Sequence, residues 1–260
     1  MSHVLTADGG TESLRVRIYD LEGRCVASHA EPYETKFMAG ARAEQNAEDW
    51  WSSLVTATQI CLKEANISGD AIDAMAYATT CCTVVALDKN GAPLRPALMW
   101  MDVRADKEAE AVLETGDQRL ILNGNGQGPV SAEWMIPKAL WLKRNEPKIF
   151  NDAVTICEYQ DYLTMRLTGE RCASLNNVGL RWHYANRDGG WASGIVEKLG
   201  MPDLLEKWPS RVAAPGEVVG NLSAAAAAEL GLSTRTKLVQ GGADALIGMI
   251  GLGVSKPGQL

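Results

Sequence analysis

Apolar residues recur along this chain at two periods, and the change from one to the other separates strands from helices. Residues 4–7 form a short apolar run that predicts a strand ending at Asp8-Gly9-Gly10-Thr11. Residues 14–19 and 24–29 are β-rich runs flanking Asp20-Leu21-Glu22-Gly23, a hairpin signal with glycine where a positive φ is often needed. A helical period then takes over. Trp50, Leu54, Ala57, Cys61 and Leu62 keep to one face of a helix predicted from near Asn46 to about Ala65, with Asn46 as N-cap and Asp49 placed as in a capping box. Residues 72–79 read as a buried strand, and residues 83–87 and 95–101 as a β pair around Asp88-Lys89-Asn90-Gly91. Further helices are predicted over 104–114, 137–144, 159–167 and 224–230, the last bracketed by Ser223 and Gly231. Residues 237–240 make a strand that runs into Gly241-Gly242-Ala243-Asp244, and a glycine-dotted helix follows from Ala245. Strands mixed with helices, opened by an antiparallel hairpin, indicate an α/β architecture.

Composition narrows the function classes. The chain has 260 residues, 46% of them hydrophobic, enough for one large core or two modest ones. Its formal net charge of -7, with no cluster of Lys and Arg, argues against a nucleic-acid surface. No basic region followed by a long apolar run opens the chain, and no uninterrupted apolar stretch reaches the roughly twenty residues needed to span a bilayer. The six cysteines include no Cys-x-x-Cys pair, and the adjacent Cys81 and Cys82 are poorly placed for a disulfide. Buried free thiols in a cytoplasmic protein are expected. Three histidines without metal-ligand spacing give no structural metal site.

Four segments carry candidate chemistry. In Asp8-Gly-Gly-Thr-Glu-Ser-Leu-Arg15, small residues after a strand would let a phosphate approach the backbone, with a hydroxyl at Thr11 or Ser13, a cation at Arg15, and Asp8 placed to hold Mg²⁺ through water. An ordinary tight turn with an Asp cap explains the same residues. Asp244 at a strand's carboxyl end fits a base for a sugar hydroxyl, and equally a helix N-cap. Trp100 to Arg104 and Ser131 to Trp134 offer flat rings and polar groups suited to a sugar. Asp102 with Arg104 is equally a local ion pair, and Trp134 equally core.

Their order along the chain resembles the FGGY carbohydrate kinases. The resemblance rests on Asp8-x-Gly-Thr-x-Ser-x-Arg15, Glu48-Asp49-Trp50-Trp51, the run from Pro93 to Ala105, Glu133-Trp134, Pro137-Lys138, Leu167-Thr-Gly-Glu170 and Gly241-Gly-Ala-Asp244. Thr80-Cys81-Cys82-Thr83, Ser131-Ala-Glu-Trp134 and Gly179-Leu-Arg181 look most like ribulokinase-like members. The resemblance implies an actin-like (ribonuclease H-like) ATPase domain, a mixed sheet flanked by helices. Residues 1–255 would be the sugar-binding domain, and 256–260 the start of an ATP-binding domain. It implies ATP-dependent phosphorylation of a pentulose such as ribulose or xylulose, with ATP and Mg²⁺ as cofactors and a homodimer allowed. Asp244 would be the base; Cys81, Trp134 and Arg181 would line the sugar; Asp8, Gly10, Thr11 and Arg15 would face phosphates and Mg²⁺. Arg181 stands where ribulokinases tend to place Lys, and a planar guanidinium is not interchangeable with an ammonium. The 260-residue chain alone is expected to be inactive as a kinase. The rival expectation is a sugar-sensing domain that binds and transfers nothing.

Overall fold

The computed structural model describes residues 2–122 and 130–259. The expected hairpin is present: β1 (His3–Gly9) and β2 (Ser13–Asp20) are longer at both ends than expected, β3 (Cys25–Pro32) starts one residue later and ends further on, and the three form an antiparallel ladder. Two short strands follow, β4 (Lys36–Met38) and β5 (Arg42–Gln45), which the sequence pattern did not announce. Helix α1 (Ala47–Ala65) starts as expected at Asn46, whose side chain accepts from the Glu48 N–H (3.3 Å) and donates to Asp49 (2.8 Å). It ends at Asn66 in a left-handed conformation. The alternation of β1 and β2 turns Leu5, Ala7, Leu14, Val16 and Ile18 inward, where they share the core with Trp50, Leu54, Ala57 and Cys61 of α1.

The next elements are β6 (Ile72–Thr79), β7 (Val84–Leu87), β8 (Ala97–Leu98), α2 (Asp106–Glu114), α3 (Met135–Asn145), α4 (Pro147–Asp152) and β9 (Thr155–Glu158). The strand expected over 95–101 shrinks to β8. Pro96 has no N–H for a ladder, Arg95 is drawn to Glu44 and Glu146, and the Met99 carbonyl is taken by Lys138. Asp102 and Arg104 do form a buried ion pair (2.6 Å), which Glu44 joins at 2.9 Å. After these come α5 (Tyr159–Thr168), β10 (Cys172–Ser174), α6 (Leu175–Arg181), α7 (Ser193–Lys198), α8 (Leu204–Lys207), β11 (Arg211–Ala213), β12 (Val218–Asn221), α9 (Ala224–Leu230), β13 (Lys237–Val239) and α10 (Asp244–Gly251). Ser223 and Gly231 cap α9 as expected.

One mixed six-stranded sheet has the order β12-β13-β6-β1-β2-β3, with β1, β6 and β13 mutually parallel. A second, antiparallel sheet has the order β4-β5-β8-β7-β9. Helix α5 joins them: it follows β9 directly, Tyr159 stacks on Trp50 at 3.8 Å, and Tyr77 of β6 donates to the Gln160 carbonyl at 2.8 Å. All six cysteines are free thiols; Cys25 is exposed, Cys81 half-buried and the other four buried. No helix among the described residues is long and apolar enough to cross a membrane.

Candidate functional site

Three parallel strands deliver their carboxyl ends to one place, the position at which open α/β sheets receive ligands. β13 leads into the Gly241–Asp244 turn, and sterics explain its composition. A Cβ on Gly241 would lie 1.7 Å from the Tyr77 carbonyl oxygen, and one on Gly242 would lie 2.7 Å from Asn176 Oδ1. The freed space lets the turn be gripped on both sides. Ser174 Oγ donates to the Gly241 carbonyl (2.8 Å), Asn176 Oδ1 accepts from the Ala243 N–H (3.0 Å), and the Gly242 carbonyl accepts from the Thr79 N–H (3.2 Å). Asp244 emerges as the first residue of α10, while Ala243 occupies the N-cap position. Its carboxylate is thus not the helix cap; among the described residues, Oδ1 accepts the neighbouring Ala245 N–H at 2.7 Å and no other donor. Burial raises its pKa above the ordinary 3.8, the Ala245 amide opposes that, and the charge of Asp8 adds to it.

Asp244 lines a cavity of about 290 Å³ together with Thr11, Cys81, Trp100, Glu133 and Arg181. The cavity thus collects residues from the hairpin turn, the segment after β6, the Trp100 loop and α6. Each wall is fixed from behind. Trp100 Nε1 donates to Thr11 Oγ1 (3.1 Å), and Gln45 Nε2 donates to the Thr11 carbonyl (2.6 Å). Cys82, next to Cys81, adopts φ 63° and donates its thiol hydrogen to Cys81 Sγ at 3.8 Å. Fully buried Lys138 donates to the Cys82 carbonyl at 2.8 Å and the Met99 carbonyl at 2.5 Å, and burial lowers its pKa to about 8.

The expected residues divide into three groups. Thr11, Cys81, Arg181 and Asp244 meet in the cavity. Trp134 is buried and does not line it; its ring lies 4.9 Å from the Arg181 guanidinium, behind that wall. His183, whose pKa burial lowers to about 4, lies on the same ring and is a neutral neighbour to Arg181 at pH 7. The third group is the hairpin loop. Gly10 uses its N–H internally, on the Ser13 carbonyl (3.0 Å), so that amide is not presented to a phosphate. Space is needed at Gly9 instead, where a Cβ would lie 2.7 Å from Tyr159 Oη. Asp8 and Arg15 are direct cross-strand partners on the face of the sheet turned away from α1. There Asp8 lines a second cavity of about 500 Å³ with Thr6, Ala76, Ala78, Val239 and Ile247.

Sequence reasoning noted the Trp100 and Glu133 segments without choosing those residues, quoted Lys138 only as part of a motif without assigning it a role, and passed over Glu158. Both lie within otherwise apolar or β-forming stretches, and a lone charge in such a run is also what a solvated face looks like. Only the fold shows them fully buried.

Residues 3–251 match the N-terminal domain of the FGGY family of carbohydrate kinases. The chain belongs to this family. As an FGGY chain it is 27% identical over 267 residues to a xylulose kinase of Bacillus subtilis, matching all of this chain and 51% of that protein. It is 30% identical over 268 residues to an autoinducer-2 kinase of Klebsiella pneumoniae, matching 48% of that protein. A solved xylulose kinase from Rhodospirillum rubrum superposes with a TM-score of 0.88 at 26% identity, covering 98% of this chain and 52% of that one. The chain therefore spans about half the length of the relatives it matches. Its mixed sheet flanked by helices is the actin-like ATPase fold of the FGGY kinases.

Proposed function

We propose that this chain is the sugar-binding half of an ATP-dependent carbohydrate kinase, with Asp244 as the base that activates the sugar hydroxyl. The observation that carries the reading is the meeting of Asp244, Cys81, Thr11 and Arg181 around one 290 Å³ cavity at the carboxyl ends of three parallel strands. That volume lies at the small end of ligand pockets, about 300–1,000 Å³, and suits a single monosaccharide. Arg181 and Thr11 supply donors, and Glu133 supplies an acceptor for hydroxyls. Asp244 is half-buried and carries no salt bridge among the described residues, so its free oxygen can take a proton from the attacking hydroxyl. The hydroxyl oxygen forms a bond to the γ-phosphorus of ATP as the bond to the departing ADP oxygen breaks.

Pentuloses such as ribulose and xylulose are the substrate class we infer; relatives named as xylulose kinases and autoinducer-2 kinases support a small polyhydroxylated substrate. ATP would approach from the second cavity, where Asp8 and Arg15 share a face, in a cytoplasmic enzyme. The hard carboxylate oxygens of Asp8, unpaired with any cation among the described residues and close enough to bias Asp244, fit Mg²⁺ held partly through water. When bound, the ion supplies charge neutralisation for the phosphates. Residues 1–255 then form the sugar domain, and 256–260 lead into the nucleotide domain. A panel of pentuloses, hexuloses and polyols assayed for ADP release with the complete enzyme tests this. Release restricted to pentuloses supports it; tight sugar binding with no release from any of them supports the sensing reading.

A further inference from the structure

A single buried carboxylate connects the walls of the cavity. Glu158 ends β9, caps α5 and is fully buried. One oxygen accepts from Trp182 Nε1 (2.6 Å) and the other from Asn177 Nδ2 (2.9 Å). The side chain also accepts the Asp161 N–H in a capping box, and its backbone pairs with Val84, two residues beyond Cys82; burial raises its pKa, and the Cys82 amide opposes that. Both oxygens of this buried carboxyl group are thus held by donors.

These donors belong to different parts of the site. Asn177 and Trp182 bracket Arg181 along α6 and the residue after it. Cys82 belongs to the turn that presents Cys81. On the other side of that turn, Lys138 holds the Cys82 carbonyl, so the residue sits between the buried Lys138 amine and the buried Glu158 carboxyl group. Its left-handed φ of 63° is one that a side-chain-bearing residue keeps only when its surroundings over-determine it. The same α6 grips the Asp244 turn through Asn176.

We propose that Glu158 is a positioning residue for the sugar, fixing Arg181 on one wall against the Cys81–Cys82 turn on the other so that the cavity is formed before its ligand arrives. The inference rests on the sugar reading of the cavity. A residue that merely filled the core would lower stability without singling out one ligand; a positioning residue alters sugar affinity and spares the nucleotide.

Trp182→Phe removes one donor to Glu158 and keeps a ring against Trp191 and Trp208. Glu158→Gln turns one acceptor into a donor facing donors. Both, and the double variant, are titrated calorimetrically with pentuloses and ATP in the complete enzyme. Loss of a buried hydrogen bond predicts pentulose affinity about three- to tenfold weaker for Trp182→Phe, with ATP affinity within about twofold. The double variant should bind no more weakly than Glu158→Gln alone, since both break one link. Should Glu158→Gln fail to fold, Asn177→Ser replaces it in the cycle with the same expectation. Parallel losses for sugar and ATP, additive losses, or unchanged affinities overturn the inference. A wild-type enzyme without affinity for any pentulose overturns the sugar reading and this inference with it; wild-type binding with unaltered variants overturns this inference alone.

Discussion

Two cavities share helix α10, and their walls are built on opposite plans. The smaller is lined by side chains that already have partners: Thr11 engaged by Trp100, Arg181 laid on Trp134, and Cys81 beside a Cys82 clamped by Lys138. The larger is lined mostly by small or apolar groups, among them Thr6, Ala76, Ala78, Val239 and Ile247, with Asp8 as its charge. The difference matches two ligand chemistries. A sugar offers many weak, closely spaced hydroxyls, and a wall that must pair each of them gains from being rigid beforehand. A nucleotide brings its own strong charges and a flat apolar base, so space and one or two ions serve it better. On this account the sugar specificity lies in the smaller cavity, and the larger one mainly admits phosphates.

The test that would most damage this division is Asp244→Asn in the complete enzyme. The amide is nearly isosteric but cannot accept the hydroxyl proton, so turnover should fall by roughly 10²–10⁴-fold while pentulose affinity changes little. Steady-state rates near wild type would leave Asp244 as a wall residue only. Gly241→Ala comes next and should damage both cavities at once. Its Cβ would meet the Tyr77 carbonyl at 1.7 Å, a backbone clash that no rotamer relieves. Soluble protein should drop sharply, or the melting temperature fall by about 10 °C, in line with a loss on the order of 3 kcal/mol. A melting temperature within about 2 °C of wild type would show that the turn has slack.

How much of this was legible in the sequence depends on the range of the interactions involved. Local signals were sufficient where local physics decides: Asn46, Ser223 and Gly231 mark helix ends, and residues 72–79 were bounded correctly as a strand. Residues 95–101 defeated the same reasoning because Pro96, Arg95 and Met99 answer to Glu44, Glu146 and Lys138 from elsewhere in the chain. The short strands β4, β5 and β10 to β12 lack enough period to be seen. At the site, Asp244 stood out because glycines precede it, while Glu158 gave no sign. Its importance comes from Asn177, Trp182 and Cys82, which only the fold brings to it. Trp134 was expected to line the cavity, yet the structure sets it behind Arg181.

That arrangement gives a smaller prediction. Trp134→Ala should weaken pentulose binding by roughly three- to thirtyfold, the range of a cation–π contact partly removed from water, and leave ATP binding nearly unchanged. Equal losses for both ligands would return Trp134 to a purely structural role. The smallest effect concerns how one cavity reaches into the other. A base works deprotonated, and burial together with Asp8 raises the pKa of Asp244, so the acid limb of turnover should lie above pH 3.8. Removing the Asp8 charge with Asp8→Asn should move that limb toward lower pH, whatever it does to the rate. A limb that stays in place or moves up would sever the electrostatic connection between the two carboxylates.

The central claim, that a sugar occupies the smaller cavity, has a direct chemical readout in the protein's own thiols. Cys81 lines that cavity and is half-buried, whereas Cys25 is exposed and far from it in the fold, at the start of β3. Alkylation of each can be followed by mass spectrometry while pentulose is added. The account predicts that saturating ribulose or xylulose slows labelling of Cys81 severalfold and leaves Cys25 unchanged. Labelling of Cys81 at its unliganded rate in the presence of every pentulose would contradict it.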